Sequence, residues 1–232
     1  SRTGRGRDVG VGALDAGAKE RDRVVMVVDV YMTTEGSSDT TAAIRASKAK
    51  LGIRSDIAGR ATGAEFIDFP FTNPQATFRS HLRVVQAVQP ELTVAPDVEK
   101  GRTLDEAVEM GDELLQYADD VIIVPKTVRP GEVPDRFRVG VPTAKFGTSA
   151  PWGLFEYLDT GPVHVLGGPP GDQLEVGKTL PVASVDTSTL SQRARFGTYD
   201  RERGAVDSPN PSWDYRQRLE YALNEYWAAW NE

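Results

Sequence analysis

The chain has 232 residues and a formal net charge of −7, long enough for one large α/β domain with a full core. It contains no cysteine, which excludes disulfides, thiolate zinc sites and a cysteine nucleophile. The acidic balance argues against a basic coat for nucleic acid, while leaving room for a local basic groove. No apolar run approaches the ~20 residues that cross a bilayer, and no signal-peptide pattern is present, so a cytoplasmic protein with no membrane partner is expected.

In chain order, residues 1–20 are rich in Gly, Arg and Asp and carry Arg2, Arg5 and Arg7. They read as a flexible terminal tail, or as an arm for a nucleic-acid backbone. Residues 21–232 then read as a single domain. Residues 24–30 (VVMVVDV) form the first expected strand, with Asp29 near its end. A helix over 37–50 follows, capped by Ser38 or Asp39 and stopped at Gly52. Residues 53–63 stay open between a loop and a weak strand.

Residues 64–71 (AEFIDFPF) make the second clear strand and set Asp68 among aromatic residues. The pattern predicts a helix over 78–88 ended by Pro90, then a strand over 92–98 (LTVAPDV) that finishes in Asp97. Thr103 and Glu106 form a capping-box pattern that opens a helix running to Ala118. Strands over 121–124, followed by Lys126, and over 137–141, containing Gly140, come next. A short helix spans 151–158. Strand 162–166 bears His164 and is broken by Gly167 and Gly168; a helix over 171–180 leads to a last strand over 182–185, ending in Asp186. A closing helix over 213–230 carries Trp227 and Trp230, which would cover the barrel's open end or dock on a partner.

About seven strand–helix alternations predict an α/β fold, a (β/α)8 TIM-barrel-like domain, either complete or one strand short, with the missing strand sought in 53–63. A doubly wound sheet is the other arrangement. No G-x-G-x-x-G follows the first strand, which weakens a dinucleotide fold. In a barrel, Asp29, Asp68, Asp97 and Asp186 would converge with Lys126 and His164 at the strands' C-terminal ends. The plainer reading of each is a loop cap or a structural ion pair; as a set they mark a working site.

Converging carboxylates suit two chemistries. One is metal binding by Asp and His, for a hydrolase or lyase using Asp29, Asp68, Asp97 and His164. Histidine is scarce for it, since the chain has only His81 and His164, the first inside a helix. The other is glycosyl transfer by two carboxylates that retains configuration. A barrel serving as a binding or structural protein is the third reading.

Leu166-Gly167-Gly168, the short helix, Ser184-Val185-Asp186 and Arg193-Ala194-Arg195-Phe196-Gly197 follow one another. This succession resembles the closing segment of the tRNA-guanine transglycosylase family, particularly the phage and bacterial relatives that insert 7-deazaguanine bases into DNA. The resemblance covers residues 66–197. It implies that Asp186 is the nucleophile and Asp68, in Phe66-Ile67-Asp68-Phe69, the general acid/base. Asp97 would read the base edge, with Gly140 beside the base and Gly167 and Gly168 letting a flat ring lie close. Phe69 or Phe71 would stack on it, Lys126 and His164 complete the substrate-binding set, and Arg193 and Arg195 would face phosphate. No cofactor is implied. The family's Cys-rich zinc site has no counterpart here, which favours DNA over tRNA as the acceptor. The sequence leaves monomer and homodimer open.

Overall fold

The computed structural model describes residues 27–60, 63–99, 101–143, 151–201 and 204–232. The expected tail and the start of the expected first strand lie outside these residues. Eight parallel strands close into a barrel in chain order: β1 (Asp29–Thr34), β2 (Lys50–Arg54), β3 (Phe66–Asp68), β4 (Leu92–Val94), β5 (Asp120–Ile123), β6 (Arg138–Pro142), β7 (Val163–Leu166) and β8 (Val182–Thr187). Helices α1 (Ser38–Ala46), α2 (Phe78–Val88), α3 (Leu104–Leu114), α4 (Pro170–Gly177), α5 (Thr189–Arg195) and α6 (Tyr215–Asn231) flank it. Short 3-10 turns stand at Ser55–Arg60, Pro130–Glu132 and Leu154–Tyr157, in the connections after β2, β5 and β6. A hairpin, β9 (Thr198–Arg201) with β10 (Gly204–Asp207), precedes α6. The fold is therefore the α/β (β/α)8 barrel, with all eight strands present.

Local chemistry explains most of the boundaries. Thr77 and Ser80 cap α2, and Thr103 and Glu106 cap α3, each pair satisfying two otherwise orphaned backbone donors. Helix α2 ends at Gln89, whose left-handed φ of 52° turns the chain into Pro90. The missing strand proves to be β2. It starts at Lys50, before the segment in which it was sought, and Gly52 lies inside it rather than stopping α1. Helix α1 is capped by Ser37, whose side chain accepts from Thr40 N–H at 3.2 Å. The first strand also begins later than its apolar run suggests. Asp29 is its first residue and not near its end.

Strand alternation sorts inner from outer residues. One face of each strand packs against the helices, forming the main apolar cluster with Met32, Ile44, Ile67, Val85, Val121, Val165 and Val185. The inner faces form a smaller cluster of Tyr31, Phe66, Leu92, Val94, Ile122 and Val124, with Phe69 and Leu166 packed against it. Gly140 belongs inside this layer. A Cβ there would lie 2.6 Å from Leu166 Cδ1 and 2.9 Å from Ile122 and Val124, so only glycine lets these side chains meet.

The bottom of the barrel is ionic. Lys50 Nζ lies 3.0 Å from Asp29 Oδ1 and 2.5 Å from Glu91 Oε2, and Arg138 Nη2 lies 2.5 Å from Asp120 Oδ2. Helix α6 packs on the flank, against α1, α4 and α5, and not over an end of the barrel. Trp230 rests on Gly177 of α4, and Lys48 Nζ sits 4.1 Å above the Trp227 ring.

Candidate active site

The uppermost inward position of every strand faces one cavity. Thr33, Arg54, Asp68, Val94, Pro142, Leu166 and Asp186 come from seven strands, and Val124 follows the eighth. Because parallel strands bring all their C-terminal ends to one face, residues more than a hundred positions apart meet there. The loops add Glu35, Phe69, Phe71, Asp97, Lys126 and Gly167 around a volume of about 320 Å³. This is the size of a small-molecule pocket.

Asp68, the last residue of β3, stands deep in this mouth. Burial pushes its carboxyl well above the ordinary range, and the charges of Asp186 and Asp97 push it further, against a weaker pull from Arg54. Its carboxyl is pushed further up than that of Asp97, the other raised carboxyl of the site. Asp186 is tethered differently. Its Oδ1 accepts from Gly167 N–H at 3.1 Å and lies 3.3 Å from His164 Nε2, while Oδ2 has no hydrogen-bond partner among the described residues. Gly167 and Gly168 both adopt left-handed φ values, 57° and 81°, which aim the Gly167 N–H at the carboxylate.

Asp97 and Lys126 form an ion pair on the opposite wall, each side chain only 11% exposed. Burial raises the Asp97 carboxyl, and the Lys126 ammonium partly restores its anion. Lys126 Nζ also lies 5.5 Å from the Phe71 ring, a half-exposed aromatic face at the rim. Arg54 is held by both oxygens of Asp56, at 3.0 and 2.8 Å, with its charge toward Asp68.

The structure thus gathers Asp68, Asp97, Asp186, Lys126, Gly167 and Phe69 around one cavity. Other expected residues stand elsewhere. Asp29 is at the far end of the barrel, ion-paired to Lys50, because its strand begins there. Gly140 lies one layer below the cavity, covered by Leu166. Gly168 turns against Thr143 rather than lining the cavity. His164 is fully buried beneath Asp186, ringed by Tyr31 and Phe66. Arg193 and Arg195 occupy the last turn of α5 and do not line the cavity.

Two residues without a sequence signal support the site. Gln173 Nε2 donates to Gly167 O and Asp186 O, both at 2.7 Å, and its Oε1 accepts from Tyr226 Oη. The last helix therefore holds the loop and strand that carry Asp186. Arg54, from the strand hidden in the sequence, brings the mouth a cation.

His81, read as a helix residue, packs edge-on to Phe69 at 5.3 Å with Nε2 3.1 Å from Thr93 Oγ1. Burial lowers its pKa from 6.5 to about 4. The unfolded chain binds this proton first, so stability is full above pH ~6.5 and falls as pH drops toward ~4, by about 3 kcal/mol. Urea melts across that window check it: the acid-side loss should shrink by this amount in His81→Phe.

Fold and site define a (β/α)8 barrel whose acidic, cation-bordered mouth stands at the C-terminal ends of its strands. Residues 46–231 match the model of a family described as "Family of unknown function (DUF6610)", and the chain belongs to that family. No curated protein matches the sequence. Among solved structures, the chain is similar to one described as "Crystal structure of a putative fructose-1,6-biphosphate aldolase from Coccidioides immitis". The TM-score is 0.54 at 10% identity, covering 88% of this chain and 89% of that one. At this identity the likeness shows the fold alone. Among the described residues no helix is long and apolar enough to cross a membrane, and no three acidic or imidazole groups converge as metal ligands.

Proposed function

We propose that the chain is a base-exchange transglycosylase, a pentosyltransferase that replaces guanine in nucleic acid, DNA rather than tRNA, with a 7-deazaguanine-type base. The observation that carries this reading is the pairing of two unlike carboxylates, Asp68 and Asp186, in one cavity. Retaining transfer needs one carboxyl that arrives protonated and one that attacks. Asp68, whose proton is held by burial, supplies the first; Asp186, fixed through Oδ1 with Oδ2 unpaired among the described residues, supplies the second.

In the proposed cycle Asp186 Oδ2 attacks C1′ of the flipped-out nucleotide, forming an ester to the sugar. Asp68 gives its proton to the departing guanine and takes one from the incoming base. That base then attacks C1′ and releases Asp186. Asp97 and Lys126 present an acceptor and a donor to the base edge, and Phe71 offers a face for stacking. The acidic wall leaves phosphate to be met outside the cavity. Arg193 and Arg195, in the last turn of α5, are not among the residues lining the mouth.

The metal-dependent hydrolase or lyase has less support, since Asp29 is at the other end and Lys126 occupies the space beside Asp97. The test is exchange of radiolabelled guanine into DNA and into tRNA, with and without unlabelled 7-deazaguanine as competitor. Label entering DNA and suppressed by the competitor supports the reading. No label in either polymer, and no 7-deazaguanine incorporated, overturns it.

A further inference from the structure

Below the mouth, a line of polar side chains runs through the barrel's interior where apolar residues would otherwise pack. Arg138, at the start of β6, is held by Asp120 and donates from Nη1 to Ser184 Oγ at 2.6 Å. Ser184 Oγ lies 2.7 Å from His164 Nδ1, and His164 Nε2 lies 3.3 Å from Asp186 Oδ1. His164 and Ser184 are both fully buried. Register builds the line. Gly140 pairs with His164 and His164 with Ser184, which brings β6, β7 and β8 level at this depth, while Ser184 and Asp186 share the inner face two residues apart.

The direction of each bond follows from donor capacity. A guanidinium only donates, so Ser184 Oγ accepts from Arg138 and keeps its own proton to give. Among the described residues that hydroxyl has one other partner, His164 Nδ1. Nδ1 must then accept. Burial keeps the imidazole neutral, so its single proton is on Nε2, where it faces Asp186. The opposite tautomer would leave the Ser184 proton without an acceptor and set the Nε2 lone pair against Asp186 Oδ1.

The geometry points to His164 as a positioning residue for Asp186, with its tautomer set from the barrel's far end by Arg138 through Ser184. The role rests on the reading of Asp186 as the reacting carboxylate, but the tautomer assignment does not. Anchored by the His164 Nε2–H and the Gly167 N–H, Oδ1 fixes the carboxylate plane and leaves Oδ2 for the reaction. The line is not a proton wire, since the guanidinium at its foot does not give up a proton.

Nitrogen NMR on protein labelled with heavy-nitrogen histidine tests this, because the chain has only two histidines. His164 should show one tautomer, with Nε2 protonated and Nδ1 accepting. Asp186→Ala, which removes the acceptor above Nε2, should keep that tautomer, since Ser184 still donates from below. Asp186→Ala with Ser184→Ala should release it, so that both tautomers appear, and Ser184→Thr in place of Ala should restore the single form. A wild-type His164 protonated on Nδ1 overturns the assignment, as does a double variant holding one tautomer as firmly as the single variant. The predicted NMR pattern without base exchange leaves the relay standing and removes the proposed function. Base exchange with a Nδ1-protonated His164 does the reverse.

Discussion

Asp186→Asn is expected to abolish base exchange, by on the order of 10⁴-fold or more, with folding intact. An amide has the shape of the carboxylate but no anionic oxygen to attack C1′, so no sugar ester forms. The substituted side chain can keep its place, because an amide oxygen accepts from the Gly167 and His164 donors as the carboxylate oxygen does. Loss of activity with an unchanged unfolding midpoint separates chemistry from structure. Exchange by the variant at a rate near that of the wild type would remove Asp186 from the reaction.

Asp68→Asn carries the second large effect, and it acts in two directions. Activity should fall about 10²–10⁴-fold, because the departing base loses its proton donor. Stability at neutral pH should rise. The folded-state pKa of Asp68 is raised above its unfolded value, so the folded protein binds the extra proton in the interval between them. The wild type is therefore favoured below the unfolded pKa near 4, and loses stability as pH climbs from there toward the folded value. The loss is on the order of 1 kcal/mol for each pH unit of that interval. Asparagine removes it, so the two proteins should unfold alike near pH 4 and diverge at neutral pH, with the variant the more stable. This slope opposes that of His81, and the difference between wild type and each variant isolates it.

Much of the fold was legible because buried parallel strands read as apolar, β-branched runs and the helices carry their caps. Residues 78–88 form α2 as expected, and Thr103 caps α3. The reading failed where a strand's inner positions are not apolar. In β2 these are Lys50, Gly52 and Arg54: an ion pair at the bottom, a glycine yielding space to Phe66, and a cation at the mouth. Such a strand has no continuous apolar run. β1 misled for the same reason, since its mouth-side positions are Thr33 and Thr34, whereas the strongly apolar stretch lies earlier in the chain.

The site divides along similar lines. Asp68, Asp97, Lys126 and Asp186 stood out because charge next to a buried strand is costly unless it is used or paired. Asp29 met the same criterion, but an aspartate opening a strand looks like one closing it until the strand's start is known. The link from Arg138 to His164 had no linear signal at all. It exists through the register of β6, β7 and β8, and only closure of the barrel sets that register.

The proposed cycle turns on a bond between the Asp186 carboxylate and a sugar. Acid-quenched protein that has been incubated with guanine-containing DNA, then digested with nuclease and protease, can be read by mass spectrometry. A deoxyribosyl-sized addition on the peptide bearing Asp186, absent from Asp186→Asn and discharged by adding a 7-deazaguanine base, is the predicted result. Base exchange proceeding with that peptide unmodified, or with the sugar attached to Asp68 or Asp97 instead, would contradict it.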